Sequence, residues 1–138
     1  MIDPLLSRAA PADDPLTRFF WSSGADGLLR ILRCGACGYY THPPTSRCPR
    51  CLAVEVAPAA VSGRGTVHTF TINVQEWTPG QQPYVYAVVE LPEQEGLRLT
   101  SNVVGVAPEE VHIGMPVRVV FVERHGSHYP LFTPDGPA

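Results

Sequence analysis

The 138-residue chain contains no lysine, since all ten of its basic residues are arginine. Schiff-base chemistry and a lysine general base are therefore excluded. Cysteine is nearly absent too: there are four, all between Cys34 and Cys51. No apolar run approaches the roughly 20 residues that a membrane helix needs. The opening stretch MIDPLLSRAAPADDP lacks both a basic start and an apolar core, so it does not read as a signal peptide. A cytoplasmic location is expected, where thiols stay reduced and paired C-x-x-C motifs favour metal over disulfides. No Ser-His-Asp order and no G-x-S-x-G elbow occurs. SGRGTV is too short for a phosphate loop and lacks the helix that should follow one. His125 and His128, in HGSH, have no further ligand cluster beside them and read as a polar turn. The absence of a catalytic constellation points to a binding or accessory role.

What is present is a chain long enough for one domain, or one domain with a small appendage. It is 44% hydrophobic, enough to bury a core. The net charge of −3 is unevenly spread. Residues 30–64 hold Arg30, Arg33, Arg47, Arg50 and Arg64 against the single acid Glu55, a local +4 that leaves −7 for the remainder. A basic ribbon on an acidic body suits a phosphate-bearing ligand or an acidic partner, and solvated arginines are the plainer alternative.

The densest motif is CGACGYYTHPPTSRCPRC, Cys34 through Cys51, with two C-x-x-C pairs separated by ten residues. Thiolates paired in this way converge on one tetrahedral metal, and the spacing fits a zinc ribbon ligated by Cys34, Cys37, Cys48 and Cys51. Gly35 and Gly38 suit a tight turn around the first pair. Iron is the rival, since four thiolates hold it as well. The second knuckle, CPRCL, lacks a glycine after its last cysteine, which weakens a redox-iron reading. No βαβ pattern surrounds either pair, which weakens a thioredoxin-like one. Four sulfur ligands leave no open coordination position, so the metal is expected to be structural.

The expected organisation is a flexible lead-in over residues 1–15, an N-terminal helix over 16–27, a rubredoxin-like zinc ribbon over 28–60 and a five-stranded OB-fold barrel over 61–138. The class is mainly β. Asp14 reads as the helix N-cap, Pro15 as its first residue and Gly24 as its stop. Phe19, Phe20 and Trp21 either cap the core or make this a docking helix, because a helix so short scarcely buries three aromatics on one face. From Gly65, alternation places Val67, Thr69, Thr71 and Asn73 on one face and His68, Phe70, Ile72 and Val74 on the other. Tyr84–Leu91 and Leu97–Val104 flank a hairpin turn, PEQEG. PEEVHIG reads as a single helical turn before the strand Pro116–Glu123, and a last strand surrounds Tyr129–Phe132.

In order along the chain, FFW, LLRILRCGACGYYTHPPTSRCPRC, GRGTVHTFTI, PYVYAVVEL, IGMPVRVVF and PLFTP resemble the zinc-ribbon OB-fold proteins once filed as domain of unknown function thirty-five, an acyl-CoA-associated family. The resemblance spans roughly Arg18 to Pro134. It implies a non-catalytic accessory subunit that folds around structural Zn2+ and forms a hetero-oligomer with a thiolase-superfamily enzyme. Members accompany acetoacetyl-CoA thiolases, acyltransferases and the thiolase-like aldolases of bacterial steroid side-chain degradation. Acyl-CoA would then lie at or near the shared interface. Arg47, Arg50 and Arg64 are the candidates for its phosphates, and Phe19, Phe20 and Trp21 for the partner.

Two readings from other classes stand beside this one. OB barrels commonly bind single-stranded nucleic acid, and His68, Phe70, Tyr84 and Tyr86 are the stacking candidates. The acidic barrel region argues against that role. A stand-alone acyl-CoA binder is the other.

Overall fold

A computed structural model describes residues 9–136, so the first eight residues of the expected lead-in lie outside it. A short helix, α1 (Arg18–Ser22), runs into a 3₁₀ turn (Ser23–Asp26). Three short strands follow: β1 (Arg30–Cys34), β2 (Tyr40–Thr41) and β3 (Val56–Ala60). They form one antiparallel sheet in the order β2-β1-β3, with β1 in the centre. The remaining strands are β4 (Arg64–Asn73), β5 (Tyr84–Glu90), β6 (Arg98–Val103), β7 (Pro116–Arg124) and β8 (Ser127–Pro134). They close a barrel in the order β4-β5-β6-β8-β7, with β7 returning to β4. All neighbours are antiparallel except β6 and β8. A 3₁₀ turn at Pro108–Glu110 sits between the third and fourth barrel strands, where a single helical turn was expected. The five-stranded barrel behind a four-cysteine ribbon is the architecture the sequence implies.

Strand β3 escapes a pattern reading because Pro58 interrupts it. As an edge strand it needs no N–H on its outer side, so proline is tolerated opposite Leu32.

Helix, ribbon and barrel share one core. Phe20 of α1, with Leu29 and Ile31 at the base of the ribbon, packs with Val67, Val85, Val89, Leu99, Val117 and Phe132 of the barrel. The exposed aromatic face expected of a docking helix is therefore not what α1 presents. Phe20 is 6% exposed, and Phe19 and Trp21 lie half-buried against the core. Trp21 stands edge-on to both Phe20 and Tyr129, with centroid separations of 5.0 and 5.5 Å. The helix buries its aromatics by dividing them between barrel and ribbon rather than by packing all three on one face.

Three local expectations are corrected. The Asp14 carboxylate accepts from the Leu16 amide at 2.8 Å, and the Asp14 carbonyl accepts from Thr17 and Arg18. Asp14-Pro15 thus organises a turn ahead of the helix, whose N-cap is Thr17. Gly24 is not the stop: the left-handed residue that ends the 3₁₀ turn is Gly27, at φ 85°. Gly24 is buried, and a Cβ there would overlap the Phe121 ring, so it is a point of close approach to the barrel.

The third correction concerns β4. Pairing with β5 runs Val67↔Val89 and then Thr69↔Val88, leaving His68 as an extra residue in a bulge. One extra residue inverts the alternation downstream. Val67, Phe70 and Ile72 therefore share the core side, while His68, Thr69 and Thr71 are exposed.

Candidate metal centre and its surroundings

The two cysteine knuckles are built alike. In the first, the Cys34 sulfur accepts from the amides of Ala36 and Cys37 at 3.3 and 3.4 Å, and Gly38 N–H donates to the Cys34 carbonyl at 2.9 Å. In the second, the Cys48 sulfur accepts from Arg50 and Cys51, both at 3.4 Å, and Leu52 N–H donates to the Cys48 carbonyl at 2.8 Å. In each knuckle the residue after the second cysteine is left-handed: Gly38 at φ 81° and Leu52 at φ 66°.

The arginine just before each knuckle repeats the symmetry. Arg33 Nε donates to the Gly38 carbonyl at 3.0 Å, and an Arg47 guanidinium nitrogen donates to the Leu52 carbonyl at 3.1 Å. Both arginines lock the turn that aims the sulfurs. Sequence reading misses this role, although the signal, an arginine directly before each C-x-x-C, is visible there.

All four sulfurs lie within 4.8 Å of one another. Cys34 and Cys51 are 3.6 Å apart, as are Cys37 and Cys48. A tetrahedral site with metal–sulfur bonds of about 2.3 Å requires edges of about 3.8 Å, so the set fits one ion. The electrostatics agree. The amides of Cys37 and Ala36 stabilise the Cys34 thiolate and bring its pKa down to about 6 against the opposing effect of burial. At Cys51 the Ala53 amide favours the thiolate, but desolvation of the sulfur and its three neighbouring sulfurs outweigh it and push the thiol up to about 12. Four thiolates at these distances need a cation to be charged together.

The three candidate arginines are not brought together. Arg47 and Arg50 belong to the second knuckle, at the outer end of the β1/β3 ladder, where Cys34 pairs with Val56. Arg64 begins β4, beyond the opposite end of that ladder, and is 3.6 Å from Asp135. Arg47 is engaged as a clamp, while Arg50 lies over the Tyr39 ring at 5.8 Å. Of the stacking candidates, Phe70 packs against the core, Tyr84 is half-buried, and His68 and Tyr86 face outward.

Several features were not foreseen. Leu52 is 65% exposed and Val54 61%. Trp77, in the β4–β5 loop, is 72% exposed yet held in place: its indole N–H donates to Asn73 and its amide to Gln81. A cleft of about 330 Å³ opens between α1, the His42–Pro44 segment and β6. His42 lines it, tilted against Phe20 at 5.0 Å, and its Nδ1 is buried with no partner among the described residues. No helix among the described residues is long and apolar enough to cross a membrane.

Comparison with known proteins adds identity to this geometry. A family described as "ChsH2, rubredoxin-like zinc ribbon domain" matches residues 21–56, and "ChsH2, C-terminal OB-fold domain" matches residues 59–122. The chain is 35% identical over 136 residues to a "Probable enoyl-CoA hydratase alpha subunit" of Thermomonospora curvata, covering 97% of this chain and 42% of that protein. It is 37% identical to the "3-oxo-4,17-pregnadiene-20-carboxyl-CoA hydratase alpha subunit" of Mycobacterium tuberculosis, covering 82% of this chain and 36% of that one. It therefore spans well under half the length of these two relatives. A "Benzoylsuccinyl-CoA thiolase subunit BbsA" of Thauera aromatica is 32% identical, with 59% of this chain and 57% of that subunit covered. Among solved structures, the "Ltp2-ChsH2(DUF35) aldolase" superposes with a TM-score of 0.82 at 35% identity, over 91% of this chain and 98% of that one.

Proposed function

This chain belongs to the DUF35 family of zinc-ribbon, OB-fold proteins, and from that membership we propose that it is a non-catalytic accessory subunit of a thiolase-like enzyme acting on acyl-CoA. The observation that carries the reading is its likeness to nearly the whole DUF35 chain of the Ltp2 aldolase. Within this class, retro-aldol cleavage of a steroid side-chain acyl-CoA is the reaction we favour, because one relative is named for a pregnadiene-carboxyl-CoA. Carbon–carbon bond chemistry then belongs to the partner.

The residues fit zinc held by Cys34, Cys37, Cys48 and Cys51. Bound there, the ion is a closed structural cross-link with no position for substrate. Reduced thiols suit a cytoplasmic setting. For acyl-CoA at the shared interface, Arg50 is the best of the proposed phosphate contacts, since Arg47 is engaged with Leu52 and Arg64 lies beside Asp135. Of the aromatic trio, the half-buried Phe19 and Trp21 keep surface for a partner, whereas Phe20 acts from within the core. A single-strand nucleic-acid role has less support, because Phe70 is withdrawn into the core.

Co-expression with a thiolase-like enzyme such as Ltp2, followed by size-exclusion chromatography with light scattering, tests the proposal. A stable hetero-oligomer is expected, with aldolase or thiolase activity dependent on this chain. Two species that elute separately, with full activity in the enzyme alone, would overturn it.

A further inference from the structure

The knuckle symmetry isolates one residue that the metal site does not need. Gly38 and Leu52 occupy the same left-handed position, with the same amide bond to the leading cysteine and the same arginine on the carbonyl. Glycine adopts this conformation without steric cost; a bulky side chain there is an outlier. The first knuckle uses glycine. The second keeps a leucine and holds it 65% exposed. Packing within the chain does not account for it, and neither does ligation.

Leu52 is not alone. Val54, two residues on, is 61% exposed, so two branched apolar side chains project from the outer end of the ribbon. Their surroundings are net cationic: Arg47 and Arg50 are both exposed, and Glu55 is the single acid in residues 45–60. A left-handed leucine kept exposed, where glycine serves in the sister knuckle, is the kind of outlier from which a functional contact is inferred. An apolar knob in a basic collar is complementary to an apolar socket with an acidic rim.

We infer that Leu52 and Val54 are the contact through which the ribbon tip seats in an apolar, carboxylate-rimmed socket on the thiolase-like partner, an inference that rests on the accessory-subunit reading above. The backbone cost is present in the free and the bound chain alike, and burial of the leucine offsets it in the complex.

The decisive variant is Leu52→Gly, which relieves the backbone while deleting the knob. Recombinant Ltp2 serves as the probe, titrated with the full zinc-loaded chain by biolayer interferometry. Leu52→Gly is expected to keep its zinc and its melting temperature, or to melt slightly higher, while Kd rises about tenfold or more. Val54→Ser should weaken binding in the same direction, and Arg50→Gln should flatten the salt dependence of the association rate. Wild-type affinity in both Leu52→Gly and Val54→Ser would overturn the inference and leave the accessory reading standing. Failure of the wild-type chain to bind would overturn both. Self-association of the chain alone that Leu52→Gly abolishes would make a second copy the occupant, and would overturn the assignment to the enzyme.

Discussion

The side chain of Gln94 makes both hydrogen bonds to Tyr40 that a neighbouring strand would make. Its Oε1 accepts from the Tyr40 amide and its Nε2 donates to the Tyr40 carbonyl, each at 2.9 Å. Gln94 lies in the β5–β6 turn and Tyr40 opens β2, so one primary amide fastens the ribbon to the barrel. Gln94→Ala leaves both backbone groups of a buried residue without partners, at a cost of about 1–3 kcal/mol. Gln94→Glu keeps one acceptor and loses the donor, setting a carboxylate against a carbonyl. Thermal melts should rank wild type above both variants, with the Tyr40 amide exchanging faster in each. Unchanged protection at Tyr40 in Gln94→Ala would show that the clamp carries no weight.

Barrel closure depends on a second such bond. The parallel seam between β6 and β8 is short, pairing Val103 with Phe132, and Val104 N–H donates to the Phe132 carbonyl at 2.7 Å. The buried Ser101 hydroxyl extends the seam by donating to the Pro130 carbonyl, also at 2.7 Å. Ser101→Ala removes the donor and strands that carbonyl, for a loss of roughly 1–2 kcal/mol in denaturant unfolding. Ser101→Thr retains the hydroxyl and should recover part of the loss. Equal midpoints for wild type and Ser101→Ala would rule out a contribution to closure.

His42 gives the fold a dependence on acid. Burial against Phe20 lowers its pKa from about 6.5 to about 4. Above pH 6.5 neither folded nor unfolded chain is protonated there, so His42 adds no pH dependence. Between 6.5 and 4 the unfolded chain takes up the proton first, and stability falls with pH. Below 4 both states are protonated, and the loss levels off at about 3 kcal/mol. His42→Phe keeps the ring and discards the titration. The stability difference between pH 7 and pH 4.5 should be smaller in the variant by about 2 kcal/mol or more. Parallel curves for variant and wild type would remove His42 as the cause.

These contacts also explain what could and could not be read from the chain. Cysteine spacing is local, and so are the alternation of Tyr84–Leu91 and the PEQEG turn; each can be seen in a window of a dozen residues. Gln94 lies 54 positions from Tyr40, and nothing in either segment marks the other as its partner. The His68 bulge is equally hidden, because an extra residue becomes visible only when β5 sets the register. The choice between core and docking surface for Phe20 stays open in the sequence because its neighbours, His42 and the barrel strands, come from distant segments. Arg47 stands as a phosphate candidate in the sequence, where its charge is evident and its bond to Leu52 is not. Locally encoded features were legible; those that need a second segment to define them were not.

Removing the metal should separate the two halves of the chain. Apparent binding energies of structural zinc in zinc-finger peptides are about 10–16 kcal/mol, comparable with or above the whole stability of a typical domain. Beyond their own amide and arginine bonds the knuckles have little to hold them: Cys37, Cys51 and Leu52 are exposed, and the ribbon residues that join the shared core lie mainly at its base. Chelation, or Cys48→Ser, is therefore expected to reduce metal content from about one ion per chain towards zero. Amide protection across residues 34–54 should then be lost. Val85, Val89 and Val117, fully within the barrel core, should stay protected, although global stability falls because Leu29 and Ile31 anchor the ribbon in that core. Binding to the thiolase-like partner should weaken in step with the ribbon, since Leu52 loses its fixed position. Elemental analysis, hydrogen exchange and titration on the same samples read these effects separately. A metal-free chain whose ribbon amides remained protected would show that the four thiols do not depend on an ion for their arrangement, and the structural role assigned to them would be wrong.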